Sequence, residues 1–228
     1  MVTETVLSLP FDGRWLVQNS PARRVPSHGT DLLGERYAID FVGVDDRRRT
    51  ADRTDWRTVL STEPPERFVS FGRPILAPVD GIVVATHDGE ADHEARRSQL
   101  TLIPYALSQA RRLREGVAAI AGNHVILELR GGGLYAALVH LRAGSFRVAP
   151  GDRVTTGQPL AECGNSGNST QPHVHIQLMD DLDLSRARGV PMVFRDFREW
   201  PRRGEPVVRD RGIPAEGSVV APARADSG

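Results

Sequence analysis

The stretch His124-Val-Ile-Leu-Glu-Leu129, Arg130-Gly-Gly-Gly133, Leu134-Tyr-Ala-Ala-Leu-Val-His-Leu141 decides the fold. Two apolar runs of strand length flank a turn whose glycines supply the positive φ that a tight reversal needs, so the segment reads as an antiparallel hairpin. Outward from it, short runs rich in Val, Ile and Leu recur at 15–18, 37–42, 81–86, 159–163 and 174–178, separated by many of the 22 Gly and 16 Pro. That punctuation predicts an all-β fold, an antiparallel sandwich or half-barrel with an open groove. Two insertions interrupt it. Residues 45–67, dense in Arg, Asp and Pro, read as a surface loop, and residues 88–122 hold one short helix around Tyr105–Glu115, with Leu107, Ala110 and Leu113 on one face. The chain is expected to be a single domain over 1–200, followed by a poorly ordered tail over 201–228, where charge, Pro, Ala and Gly dominate.

Composition narrows the function. Lys plus Arg and Asp plus Glu number 29 each, so no net field steers the chain towards nucleic acid or an anionic membrane. Cys163 is the single cysteine and forms no internal disulfide, and it reads as a small buried hydrophobe. No apolar run approaches the roughly 18 residues of a membrane span. The first ten residues, with neither a basic start nor a long apolar run before Pro10, carry no export signal, which predicts a cytoplasmic location for the sequence as it stands.

The chemistry concentrates in Gly164-Asn-Ser-Gly-Asn-Ser-Thr-Gln-Pro-His173-Val-His175-Ile-Gln-Leu178, a polar glycine loop that runs into a strand. Residues two apart on a strand share a face, so His173 and His175 project together about 6.7 Å apart. Both then bind one zinc, or one binds while the other handles a water; a pair of exposed polar residues is the plainer reading. His140 lies near the end of its strand. Asp40 sits between Ile39 and Phe41, where an ionised carboxylate needs a cation, either a metal or an arginine. Histidines with a carboxylate form the nitrogen and oxygen donor set of catalytic zinc, a site for hydrolysis.

The order of these motifs resembles the lysostaphin-type zinc endopeptidases. Pro74-Ile-Leu-Ala-Pro-Val-Asp-Gly-Ile-Val-Val84, Gly122-Asn-His-Val-Ile-Leu127, Leu138-Val-His-Leu141, Val148-Ala-Pro-Gly-Asp-Arg-Val-Thr-Thr-Gly-Gln-Pro-Leu160 and the glycine loop with its His-x-His follow the family's sequence of strands, over about residues 36–179. The resemblance implies that Asp40 and His175 are Zn2+ ligands and that His140 and His173 form the catalytic pair. It also implies peptide substrates such as the cross-links and stem peptides of peptidoglycan, and an extracytoplasmic site of action.

Two positions depart from the family. Arg36 stands where it has its first histidine ligand, and a guanidinium has no lone pair for zinc. His28, upstream on a loop that can fold back, is the favoured third ligand, ahead of His124, His87 and His93, the last two expected to be solvated. Leu138 stands where the family often has a tyrosine, with Tyr135 a conceivable stand-in. These departures motivate an alternative, a catalytically degenerate domain that binds peptidoglycan or regulates a hydrolase. A histidine phosphocarrier sandwich is a third reading, and Asp40 beside the histidines argues against it.

Overall fold

The computed structural model describes residues 4–52, 61–95 and 120–223. Thirteen strands lie among them: β1 (Thr5–Leu7), β2 (Trp15–Gln18), β3 (Ile39–Gly43), β4 (Pro74–Leu76), β5 (Gly81–His87), β6 (Asn123–Leu129), β7 (Tyr135–Leu141), β8 (Arg153–Val154), β9 (Pro159–Glu162), β10 (Val174–Met179), β11 (Met192–Trp200), β12 (Val207–Gly212) and β13 (Val219–Pro222). Eleven form one open sheet, in the order β1-β11-β13-β2-β3-β10-β7-β6-β5-β8, with β12 on the free side of β11. Only β1 runs parallel to its partner; the other pairings are antiparallel. The remaining two, β4 and β9, make a ribbon. Its Ile75, Leu160 and Ala161 join the main core, with Trp15, Phe41, Leu138, Ile176 and Phe194 of the large sheet. The expected all-β architecture holds, as an open sheet that does not close into a barrel.

The hairpin that decides the fold is β6–β7, and Gly131, Gly132 and Gly133 in its turn all have positive φ. Alternation sends Val125, Leu127, Ala136 and Leu138 into the main core, and Ile126, Ala137 and Val139 to the opposite face. On β10, Val174, Ile176 and Leu178 enter the same main core. His175 and Gln177 therefore face the other way.

Three expectations are corrected. The tail over 201–228 supplies β12 and β13, and β13 bridges β11 and β2 with Val220 fully buried. Local composition missed it because Val219 and Val220 are a short apolar pair in a Pro- and Gly-rich context. The insertion over 45–67 is not only a loop. Ala51 bridges Phe68, Glu63 bridges Ala95 of the second insertion, and Ala51, Phe68 and Ala95 form a small core of their own. Residues 36 and 37 belong to a 3-10 turn, Leu32–Tyr37, ahead of β3. The helix expected around 105–115 lies outside the described residues.

Because β13 ties β11 to β2, deleting residues 204–228 is expected to lower the thermal midpoint by about 10 °C or more, where removal of a frayed tail would leave it unchanged. Circular dichroism melts of the full and shortened chains distinguish the two.

Candidate metal centre and cleft

Three neighbouring strands, β3, β10 and β7, deliver the polar groups to one face. Asp40 is the direct cross-strand partner of His175, and His175 faces Val139 on the other side. Asp40 Oδ1 lies 2.9 Å from His175 Nδ1. Its other oxygen, Oδ2, accepts a hydrogen bond from Asn19 Nδ2 at 2.7 Å and lies 3.1 Å from His28 Nε2. One donor atom each of His28, Asp40 and His175 thus falls within 4.8 Å of the other two.

His140 reaches this face through an irregularity. In a regular strand it would share the side of Ala136 and Leu138, inside the main core. The β6–β7 register pairs Val139 with His124 and Leu141 with Asn123, leaving His140 as the extra residue of a bulge, at φ 64°. Val139 and His140 therefore both line the cleft, while Leu138 and Leu141 remain in the core. A bulge commonly re-aims a side chain beside a functional site, and the left-handed backbone of a non-glycine residue costs about 1–2 kcal/mol. The His140 and His173 rings lie 4.7 Å apart, centroid to centroid, and His140 and His175 6.1 Å.

The outer partners orient the four imidazoles and fix the tautomers of His140 and His173. A carbonyl oxygen only accepts, so the ring nitrogen facing it carries the hydrogen. His140 Nδ1–H donates to Ser166 O at 2.9 Å and His173 Nδ1–H to Gln171 O at 2.8 Å. Gln177 donates its amide N–H to Leu33 O at 2.7 Å, which turns its Oε1 towards His175 Nε2–H at 2.9 Å. Ser27, whose hydroxyl donates to Glu35 O, takes the hydrogen of His28 Nδ1 at 3.1 Å. The other ring nitrogens face the cleft: Nε2 of His140 and His173 as lone pairs, and Nε2 of His28 and Nδ1 of His175 against the Asp40 carboxylate, where a proton holds the place a metal would take. Hydrogen-bonded outer partners of this kind orient metal-binding histidines.

Electrostatics divides the group. For His175 burial opposes the charged form, but the hydrogen bond and charge of Asp40 outweigh it and push its pKa up to about 9. Burial also works against Asp40, yet His173, His28 and His175 together hold its carboxyl well below the usual range. Burial, then His173 and His175, keep His140 well below its ordinary value, and burial likewise lowers His173. At neutral pH His140 and His173 are therefore neutral, with Nε2 free to take a proton.

The glycine loop is clamped from two sides. Ser166 Oγ accepts from Asn123 N and donates to Leu141 O. Gly122 is required here, because a Cβ would lie 2.6 Å from Ser166 and 2.7 Å from Gly167. Asp92 accepts from Asn165 N and Ala143 N, and His93 Nε2–H donates to Gly167 O at 2.9 Å. His93 is thus a half-buried strut rather than solvated. His87 stands half-exposed beside Glu90 and stacks on His124, which itself lines the cleft. Arg36 points away from the centre, pairing with Asp31 and lying against Tyr37. Tyr135 is no stand-in: it pairs with Met179, four residues or about 13 Å along β7 from Val139, and does not line the cleft. Cys163 is buried in the main core, where burial raises its thiol pKa far above the ordinary value. Asn19, Ser27, Ser166 and Gln177 were not singled out in the sequence. Gln177 was open to discovery, since it follows His175 by two on the same strand face.

Residues 105–186 match the sequence model of Peptidase family M23. The match contains His140, His173 and His175, while His28, Arg36 and Asp40 precede it. It bears out the resemblance to lysostaphin-type peptidases. No curated protein matches the chain. Among solved structures, the catalytic domain of lysostaphin from Staphylococcus simulans is 18% identical over 78% of this chain and 88% of that chain, with a TM-score of 0.40. A catalytic-domain variant of the prophage-encoded M23 protein EnpA from Enterococcus faecalis is 20% identical over 68% and 73%, at 0.39. A zinc-containing peptidase from Vibrio cholerae is 19% identical over 67% and 45%, at 0.33. Among the described residues no helix is long and apolar enough to cross a membrane.

Metal-free protein is expected to lose stability as pH rises. A folded-state pKa near 9 for His175, above its unfolded value of about 6.5, contributes stability fully present below 6.5 and lost as pH climbs through 9. Urea unfolding between pH 7 and 9.5 should show a fall of a few kcal/mol, absent in Asp40→Asn.

Proposed function

We propose that this protein is a zinc-dependent endopeptidase that cuts peptides of the peptidoglycan type. The observation that carries the reading is the convergence of His28, Asp40 and His175, each offering a donor atom to one point, with His140 and His173 alongside. Two imidazoles and a carboxylate fit catalytic zinc, which takes three protein ligands and leaves a position open. His28 in that role replaces the histidine absent at Arg36, and its place beside Asp40 weighs against the degenerate, merely binding alternative.

Zinc held there would polarise a peptide carbonyl and acidify a water. The chain's own residues supply the remainder. His140 and His173, neutral and tautomerically fixed, present two Nε2 lone pairs side by side, able to take a proton from an attacking water and return it to the departing amine. Once protonated, the same imidazoles become donors and stabilise negative charge building on the carbonyl oxygen. Asn19 holds one carboxylate oxygen of Asp40 against rotation. Action on wall peptides would require the protein to reach an extracytoplasmic site.

Metal analysis of the purified chain should find about one zinc. His28→Ala should lose it, and adding Arg36→His should not restore it, because residue 36 is directed towards Asp31. His173→Ala should keep zinc yet lower hydrolysis of cross-linked muropeptides by about a hundredfold or more. A chain that takes up no zinc, or keeps it in His28→Ala, contradicts the assignment. Ser27→Ala and Gln177→Leu should each weaken zinc about 10–100-fold in chelator competition, without a matching loss of metal-free stability.

A further inference from the structure

Histidines apart, the charged side chains of the cleft around the proposed centre are one-sided. The chain has 29 arginines, yet none is among the described residues lining the cleft. The carboxylates of Asp40 and Glu35 line it instead, beside neutral groups such as Thr30 and Thr170. Glu35 enters from the 3-10 turn, and its carboxylate makes no hydrogen bond or ion pair among the described residues, although Arg36 is its chain neighbour; that arginine pairs with Asp31. On the opposite bank His124 donates Nδ1–H to Gly122 O at 2.8 Å, so its Nε2 is an acceptor and has no partner among the described residues. Asn168, also lining the cleft, has a buried Oδ1 without a hydrogen-bond partner. An unsatisfied buried acceptor costs about 1–3 kcal/mol, and a carboxylate in a partly desolvated cleft favours a cation. What these groups lack is a donor-rich, positively charged ligand.

We infer that the cleft selects peptides carrying an ammonium group close to the bond presented to His140 and His173, with the ammonium on Glu35 and peptide N–H groups on His124 and Asn168. This rests on the peptidase reading and adds the substrate class. The ammonium belongs either to a diamino acid side chain or to a free peptide N-terminus. Glu35 lines the same cleft as His140, His173 and His175, on the turn whose Leu33 carbonyl holds Gln177.

The test uses the full chain, loaded with zinc and carrying His173→Ala so that bound peptide is not cut. Calorimetry compares N-acetylated Ala-Ala-Xaa-Ala-Ala amides with Xaa as lysine, norleucine or glutamate, and a norleucine peptide with a free N-terminus. The lysyl peptide is expected to bind about tenfold more tightly than norleucine, and the glutamyl peptide more weakly than either. Glu35→Gln should bring the lysine-to-norleucine ratio close to one. A gain of the same size from the free N-terminus assigns the terminal amine as the source; its absence assigns the side chain. Equal binding of the acetylated lysine and norleucine peptides together with no gain from the free N-terminus, an ammonium preference that survives Glu35→Gln, or no binding of either ammonium-bearing peptide up to roughly 1 mM overturns the inference. Turnover by the zinc-loaded chain with His173 intact is scored separately. Cleavage without ammonium preference removes only this inference, and ammonium preference without cleavage removes only the peptidase reading.

Discussion

The pairing of Asp40 with His175 across β3 and β10 is the contact on which the site depends. Asp40 lies between Ile39 and Phe41, both fully buried, so its carboxylate cannot be hydrated as it would be on a surface. Hydrogen bonds and positive charge have to replace water. Asn19 and His28 meet that demand from the chain between β2 and β3, and His175 from β10, which the strand register sets beside β3. The same demand draws a cation to the place. Without metal, a proton on His175 serves; with zinc bound, the proton must leave.

Around this contact the 3-10 turn Leu32–Tyr37 has two tasks. Its Leu33 carbonyl sets Gln177, which sets His175. Its Glu35 and Arg36 carbonyls receive the Ser27 hydroxyl, which sets His28. The turn that carries Arg36 thus holds, through its backbone, the loop that brings His28 to Asp40. That support runs through peptide carbonyls, which are indifferent to the side chain at position 36.

Much of this was legible in the sequence because strand periodicity is a strong signal. The glycine-linked hairpin, Asp40 among apolar neighbours and the spacing of His173 and His175 each follow from a period of two. The position of His140 was not legible. Strict alternation would bury it with Leu138, and only the bulge, which leaves no mark in residue type, turns it to the cleft. β11 was missed because Arg195, Asp196, Arg198 and Glu199 interrupt its apolar pattern, and β13 because two valines are too few to outweigh the surrounding Pro and Gly. His93 looked solvated in an acidic stretch, yet its ring is held by the glycine loop, a long-range contact that local composition does not encode.

The most direct measurement is the zinc-edge anomalous map of crystals grown from stoichiometrically loaded protein. One peak is predicted, bounded by His28 Nε2, a single oxygen of Asp40 and His175 Nδ1, with His140 and His173 beside it and not bonded to it. A peak at another place, or one that includes Asp40 and His175 while His28 is turned away, would contradict the assignment.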